Sequence, residues 1–184
     1  RPVLQDLNQA IKLNPEFVNV YYNRGGVKIE IDDYEGAIED FNIAIEAGFD
    51  LEDSYYQRGL AKSRLGDYQG ALADLDAVLT INSDNLGALS ERGAIRYLNG
   101  NYVEDIEDYT RLIELSTENA NLSASYANRG ASWQYLGQLE NALSDLNMAV
   151  ELDTSNSSAY SNRAFVYEEL GQYEQALTDY EMAI

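Results

Sequence analysis

The chain contains 184 residues, of which 32 are acidic and 12 are basic, so its formal net charge is −20 at pH 7. It has neither Cys nor His, which excludes disulfide bonds, thiolate nucleophiles, imidazole bases and the usual zinc ligands. Negative charge in this excess repels phosphate backbones, and the apolar runs are far shorter than the ~20 residues that span a bilayer. We therefore expect no catalytic site, no metal, no cofactor, no nucleic-acid partner and no membrane insertion.

The first predicted helix occupies residues 1–15 and ends at Pro15, because a proline just beyond a helical pattern stops the helix. Its sequence, VLQDLNQAIKLNP, closely matches ALSDLNMAVELDT at 142–154. We expect residues 1–15 to be the second helix of a hairpin whose first helix is missing. Since no polar capping helix follows Ile184, we also expect the chain to be a piece of a longer array.

Two further helices are predicted between residues 18 and 47. The first runs to about Ile31, where Asp32 and Asp33 break the pattern. The second runs from about Glu35 to Ala47 and carries one apolar face, formed by Ala37, Ile38, Phe41, Ala44 and Ile45. We predict that the two helices form an antiparallel hairpin.

The same helical pair recurs along the rest of the chain. It is predicted at 52–66 with 69–81, 86–99 with 103–115, 123–136 with 140–152, and 157–170 with 174–184. Aligned on one Arg in each pair, the copies are 34, 34, 37 and 34 residues apart. A pair that recurs every ~34 residues is typical of an α-solenoid, in which each hairpin buries its apolar face against its neighbours. We predict one all-α solenoid domain over 1–184, with a half repeat at 1–17 and repeats at 18–51, 52–85, 86–122, 123–156 and 157–184.

Two positions depart from this regular pattern. Three extra residues lie in the connection from Leu115 to Ser123, and we expect them to lengthen the loop or one flanking helix. Asp105 occupies a place where the other repeats have a small residue that lets two helices approach, namely Ala37, Ala71, Ala142 and Ala176. We expect Asp105 to be half-solvated.

The chain resembles the tetratricopeptide repeat (TPR) family, whose pattern is an aromatic residue, Leu-Gly, Tyr, and then Ala-x3-Phe. Two repeats carry the match: one has Tyr55, Gly59, Tyr68, Ala71 and Leu75, and another has Tyr126, Gly130, Trp133, Ala142 and Leu146. The resemblance covers the whole chain and implies a right-handed α-solenoid of antiparallel helix hairpins that binds a protein or peptide on its concave surface. The segment GLAKSRLGDYQGAL at 59–72 resembles bacterial repeat proteins, in particular those of cyanobacteria.

All five repeats depart from the family at one position, where Arg replaces the usual Leu. Each of these Arg residues is followed by an Asp 16 residues later, in the pairs Arg24 with Asp40, Arg58 with Asp74, Arg92 with Asp108, Arg129 with Asp145, and Arg163 with Asp179. In an antiparallel hairpin with ~1.5 Å of rise per residue, the two members of a pair lie at similar distances from the turn. We predict an ion pair in each hairpin, in preference to a stripe of Arg side chains that binds a ligand.

The residue before each Arg points into the groove in this family. Here these residues are Asn23, Gln57, Glu91, Asn128 and Asn162. The row resembles the asparagine ladder with which the repeat domain of the N-acetylglucosamine transferase acting on Ser and Thr holds peptide backbones. An amide group offers both a donor and an acceptor, so such a row can hold an extended main chain. The alternative is that these residues only solvate a helix face.

Aromatic and basic side chains are expected beside this row. Helical spacing places Tyr22, Tyr56, Leu60, Tyr97, Leu98, Tyr135 and Phe165 on the same side, where such side chains suit recognition or pack between repeats. A second row is basic and consists of Lys28, Lys62 and Arg96, with Arg64 nearby. This row could attract a carboxylate or an acidic peptide, or its stems could lie over the repeat junction.

We predict a protein–protein interaction scaffold that binds a peptide or protein segment in its groove. Two alternatives stay open. One is a regulatory or substrate-presenting arm of a larger enzyme or effector, and the other is a spacer that self-associates when 1–15 of one copy docks on 174–184 of another. The pattern indicates a soluble protein and favours the cytoplasm without establishing a compartment.

Overall fold

The computed structural model describes residues 2–184 of the chain, and its fold is all-α. These residues form eleven helices: α1 Pro2–Leu13, α2 Val18–Glu30, α3 Tyr34–Glu46, α4 Leu51–Arg64, α5 Tyr68–Ile81, α6 Leu86–Leu98, α7 Tyr102–Leu115, α8 Asn119–Tyr135, α9 Leu139–Leu152, α10 Ser157–Glu169 and α11 Tyr173–Met182. The predicted helix pairs correspond to α2 with α3 through to α10 with α11, and α1 lies in the predicted half repeat. Among residues 2–184, none of the helices combines the length and the apolar character that a bilayer crossing requires.

The chain divides into two compact units, the first ending at Glu91 and the second beginning at Arg92. Within unit 1, α1 packs on α2, α2 on α3, α3 on α4 and α4 on α5. Within unit 2, α7 packs on α8, α8 on α9, α9 on α10 and α10 on α11. Packing between helices that are consecutive in sequence is the arrangement of an α-solenoid.

Tight turns join the two helices of each hairpin. The turns contain residues with positive φ: Asp32 (φ 60°) in the first hairpin, and Gly66, Gly100, Gly137 and Gly171 (φ between 71° and 80°) in the others. Glycine adopts this region without steric cost, which accounts for its use in four of these turns. Asp33 and Asp67 then cap the N-termini of α3 and α5, because each side chain accepts a hydrogen bond from a backbone N–H three residues later.

Small residues let the two helices of a hairpin approach closely. Ala37, Ala71 and Ala142 are fully buried, and Ala176 is 3% exposed. In the first hairpin, Gly25 of α2 faces the ring of Phe41 on α3, and a Cβ at residue 25 would lie 2.9 Å from the Cζ of that ring. That distance is shorter than van der Waals contact, so a side chain at residue 25 would push the two helices apart.

The three extra residues of the third repeat extend a helix rather than a loop. α8 begins at Asn119, before the expected start at residue 123, and it has 17 residues. The connection before it, residues 116–118, is no longer than the connections 47–50, 82–85 and 153–156. The added residues therefore form a further turn of α8, in which the backbone N–H of Leu122 donates to the carbonyl of Glu118.

Asp105 is fully buried, so the expectation that it is half-solvated is wrong. Its carboxylate lies between α7 and α8, where the hydroxyl of Ser132 donates a hydrogen bond to Oδ2. No group of the described residues donates to Oδ1. Burial raises the pKa of Asp105 to about 7, against the lowering effect of the Ser132 hydrogen bond.

Candidate peptide-binding clefts

The predicted Arg and Asp partners lie in contact in every hairpin. Each guanidinium donates from Nε and Nη2 to the two oxygens of its carboxylate, at distances between 2.6 and 3.1 Å, in the pairs Arg24 with Asp40, Arg58 with Asp74, Arg92 with Asp108, Arg129 with Asp145, and Arg163 with Asp179. The five Asp residues are buried. This two-bond geometry is the strongest arrangement available to an Arg and a carboxylate.

The remaining donor of four of these Arg residues reaches the preceding hairpin or α1. Nη1 donates to an oxygen of an earlier helix in the pairs Arg24 with Asn8, Arg58 with Asn42, Arg129 with Thr110, and Arg163 with Asn147. The same four guanidinium groups lie 5.4–5.5 Å from the ring centroid of the Tyr three residues earlier. All three nitrogens of each of these four guanidinium groups therefore form a hydrogen bond inside the fold, which favours a structural role for these Arg residues.

The second basic row also pairs inside the hairpins. Lys28 lies 2.9 Å from Asp40, Lys62 lies 2.8 Å from Asp74, and Arg96 lies 2.7 Å from Asp108. These contacts favour the alternative in which the row is used inside the fold, because each cation is the second partner of a buried carboxylate. The sequence contains a signal for this arrangement, since Lys28, Lys62 and Arg96 each stand four residues, or about one helical turn, after the paired Arg.

One cleft, which we call the unit 1 cleft, lies among α2, α3 and α4 and has a volume of about 350 Å³. Its lining consists of Tyr22, Asn23, Gly26, Val27, Ile29, Glu30, Phe41 and Gln57. Two members of the predicted amide row, Asn23 and Gln57, therefore lie together in this cleft. Asn23 is exposed and Gln57 is half-buried. Four of the lining residues, at positions 23, 26, 27 and 30, form a stripe along one face of α2.

Asp53 of α4 forms hydrogen bonds with two of the residues that line this cleft. It accepts a hydrogen bond from the hydroxyl of Tyr22 and another, 3.3 Å long, from Nε2 of Gln57. Burial and the hydrogen bond to Asp53 both raise the pKa of Tyr22 above its ordinary value, so this hydroxyl stays protonated and remains a donor. The ring of Tyr22 packs against Phe41 and Phe49, which holds the tyrosine in place.

A second cleft, which we call the unit 2 cleft, has a volume of about 390 Å³. Its lining consists of Ala94, Tyr97, Leu98, Tyr109, Asn128, Ala131, Ser158 and Asn162. Two more members of the amide row, Asn128 and Asn162, lie together in this lining. Asn128 is exposed, and Asn162 is half-buried with its own Nδ2 3.5 Å from the carbonyl of Ala127. Among the residues that the structure describes, no charged side chain lines this cleft.

Three tyrosines form a platform beside the unit 2 cleft. Tyr102 and Tyr135 are stacked with their ring centroids 4.8 Å apart, and Tyr97 meets both rings edge-on at 5.5 Å. Tyr135 remains 62% exposed, so its ring can contact a bound partner. Sequence reasoning missed Tyr102, which starts α7 and lies on a different helix from the predicted row.

Other predicted contact residues line neither cleft. The hydroxyl of Tyr56 points toward Gly87, where a Cβ would lie 2.7 Å away, and Phe165 is 51% exposed with its ring edge-on to Tyr180. Arg64 is exposed at the end of α4. Glu91 lies close enough to Tyr56 for its charge to raise the pKa of that hydroxyl, although burial is the larger cause.

The chain consists of helical hairpins that follow one another, and the first helices of the pairs carry amide-lined clefts. This arrangement is that of a helical-repeat protein. Two models described as tetratricopeptide repeat match the chain, one at residues 56–120 and the other at residues 157–184. The chain belongs to the tetratricopeptide repeat family. Members of this family are protein–protein interaction scaffolds, and this chain is such a scaffold.

Solved structures share the fold at low sequence identity. A structure of MamA from Desulfovibrio magneticus RS-1 is 19% identical, with a TM-score of 0.82 over 91% of this chain and 93% of that chain. A crystal structure of YrrB, described as a TPR protein with an unusual peptide-binding site, is 22% identical, with a TM-score of 0.80 over 97% of this chain and 90% of that chain. No curated protein matches the chain significantly in sequence.

Proposed function

We propose that this protein binds an extended peptide or protein segment, with the amide side chains of the two clefts as its main polar contacts. The observation that carries the proposal is that each cleft contains two amides of the row: Asn23 and Gln57 in unit 1, and Asn128 and Asn162 in unit 2. The Arg–Asp pairs contribute the register of the hairpins rather than contacts with the partner.

The chemistry of the clefts suits a main chain better than a charged small molecule. A peptide group has one donor and one acceptor, and each amide side chain offers the complementary acceptor and donor. Both clefts are also lined by aliphatic and aromatic carbon, which can bury the side chains of a bound segment. The peptide-binding site named for YrrB supports this proposal by fold similarity alone.

Replacing Asn128 and Asn162 with Ala together is expected to weaken peptide binding by about tenfold or more, because two hydrogen bonds of ~1 kcal/mol each are lost. Linear peptides selected from a displayed random library against the intact protein provide the probe, and calorimetry gives the affinity of each variant. Asn141→Ala is the matched control, since Asn141 is exposed on α9 and contacts only Gln138. Unchanged affinity in a double variant that keeps its helical circular dichroism would contradict the proposal.

Self-association is a second candidate, favoured by exposed apolar side chains on α1 and α11. Leu13 is 78% exposed on α1, while Leu177 and Met182 are 61% and 55% exposed on α11. If these faces pair between copies, light scattering should show a mass that rises with protein concentration, and Leu177→Glu should abolish the rise. A constant monomer mass over the concentration range would rule this candidate out.

A further inference from the structure

The unit 1 cleft has one carboxylate in its lining, Glu30, which has no ion-pair partner among the described residues. Glu30 lines the cleft at the end of α2, is exposed, and forms no ion pair with any described residue. Asp53 receives hydrogen bonds only from neutral groups, the hydroxyl of Tyr22 and the amide of Gln57. Asp50 also lies close enough to raise the pKa of Tyr22 through its charge, although burial is the largest cause. Glu30 is therefore the carboxylate that lines the cleft, and Asp53 lies behind the lining, in contact with Tyr22 and Gln57.

Four of the nearby cations form ion pairs with buried carboxylates. Arg24 and Lys28 both bind the buried carboxylate of Asp40, and Arg58 and Lys62 both bind that of Asp74. Arg64 occupies the place on α4 that corresponds to Glu30 on α2, but no ion pair connects it to a described acidic group. None of these cations is paired with Glu30, so this carboxylate can form an ion pair with a cation that enters the cleft.

The walls of the cleft fit the stem of a long basic side chain. Val27 and Ile29 supply half-buried apolar surface, against which a chain of methylene groups can pack. The ring of Tyr22 lies beside Asp53 and adds a surface that attracts cations. A cleft of about 350 Å³ is at the small end of the ~300–1,000 Å³ range of ligand pockets, which suits one side chain.

We infer that the unit 1 cleft is a specificity pocket for one basic side chain, Lys or Arg, of the bound peptide. Glu30 is the counter-ion of that side chain, and Asp53, held in place by Tyr22 and Gln57, adds to the attraction. Asn23 and Gln57 hold the adjoining main chain. This inference rests on the proposed peptide-binding function. The unit 2 cleft, which has no charged lining residue, accepts a neutral side chain instead.

The two clefts differ in the charge of the residue that lies two helical turns after the first amide. Glu30 follows Asn23 by seven residues on α2, and Tyr135 follows Asn128 by seven residues on α8. Seven residues are close to two helical turns, so both side chains lie at the same end of the amide stripe on their helix. The amides thus recur as the shared element, while the residue two turns later differs and can set the side-chain preference.

The test uses a displayed library of random linear peptides, selected in parallel on the wild-type protein, Glu30→Gln and Glu46→Gln. Glu46 is an exposed carboxylate at the end of α3 and lines neither cleft, so its variant makes the same change of net charge. Peptides selected on the wild type and on Glu46→Gln should carry Lys or Arg at one preferred position. Selection on Glu30→Gln should lose that preference.

Affinities then give the size of the effect. A selected peptide should bind Glu30→Gln about threefold to tenfold more weakly than the wild type, and replacing its basic residue with Gln should produce a similar loss on the wild type. The difference should shrink as salt is added. Glu30→Arg, which places at residue 30 the side chain that Arg64 has on α4, should prefer the same peptide with Glu at that position.

Two results would overturn the inference and leave peptide binding intact. One is a pool of selected peptides with no preferred position for Lys or Arg. The other is an equal loss of affinity in Glu30→Gln and Glu46→Gln, which would mean that the net charge of −20, and not Glu30, attracts the basic residue. A library from which no peptide binds the wild-type protein would overturn the proposed function and the inference together. The three outcomes are distinguishable because the variants are compared on the same library.

Discussion

Replacing Arg129 with Met is expected to lower the free energy of unfolding by about 3–5 kcal/mol, because Asp145 is left as an unpaired charge in the interior. Asp145 is only 6% exposed, and both of its oxygens accept from Arg129. The fourth hairpin has Trp133 where the first two hairpins have a second cation, so no other side chain takes over the role of Arg129. The double variant Arg129→Met with Asp145→Leu should recover most of the loss, since it removes the buried charge as well.

Urea denaturation of the single and double variants measures this coupling directly. Arg58→Met is the matched control, because Lys62 remains 2.8 Å from Asp74 and keeps that carboxylate paired. We expect the loss in Arg58→Met to be roughly half that in Arg129→Met. Equal destabilisation in Arg129→Met and in the double variant would refute the view that a stranded charge is the cause.

Replacing Asp105 with Ala is expected to stabilise the protein above neutral pH by about 1–3 kcal/mol, because it removes a buried carboxylate whose Oδ1 has no donor among the described residues. Ala is the residue at the equivalent place in the other four repeats, where it is buried. The groups that face Asp105 are Ser132 on α8, Asp108 on its own helix, and Arg96 and Tyr97 on α6. Only Ser132 donates a hydrogen bond to it.

The gain in Asp105→Ala should depend on pH with a definite sign. The native pKa of about 7 lies above the value of ~3.9 in an unfolded chain, so the native state binds the proton more tightly. The stability that the protonated carboxyl contributes is complete below the unfolded pKa and is lost as the pH rises through about 7. The advantage of the Ala variant should therefore be small at acidic pH and large above neutral pH.

Urea titrations at several pH values between ~4 and ~8 test this prediction across the window in which the two states differ in bound protons. Glu107→Ala provides the control, because Glu107 is an exposed carboxylate on the same helix. A stability difference between the wild type and Asp105→Ala that stays constant with pH would show that the carboxyl does not titrate abnormally.

The sequence predicts the bonds within a hairpin but not the bonds between a hairpin and the helix before it. A spacing of 16 residues in an antiparallel hairpin puts Arg24 and Asp40 opposite each other, so periodicity alone is enough to pair them. The third bond, from Arg24 to Asn8, joins the hairpin to the helix before it. A repeat pattern does not say how far successive hairpins are rotated, and this bond depends on that rotation.

In the candidate site too, the sequence predicts some features, while others depend on how the helices pack. The amide row follows from its place beside each Arg, and a pattern can reveal it. The sequence does not reveal that Glu91 lines neither cleft while Asn128 and Asn162 share one, nor that Tyr102 stacks on Tyr135. Those outcomes depend on the distances between helices, which are set by side-chain packing.

Sequence by itself determined the repeat, the two helices of each hairpin and the Arg–Asp partners, because helical periodicity is local. Tertiary structure alone decided three further features: the burial of Asp105 against Ser132, the extension of α8 by the extra residues, and the unpaired charge at Glu30. Each of these depends on which groups of neighbouring helices come within hydrogen-bonding or ion-pairing distance. That distance is a property of packed helices and is not encoded in any single repeat.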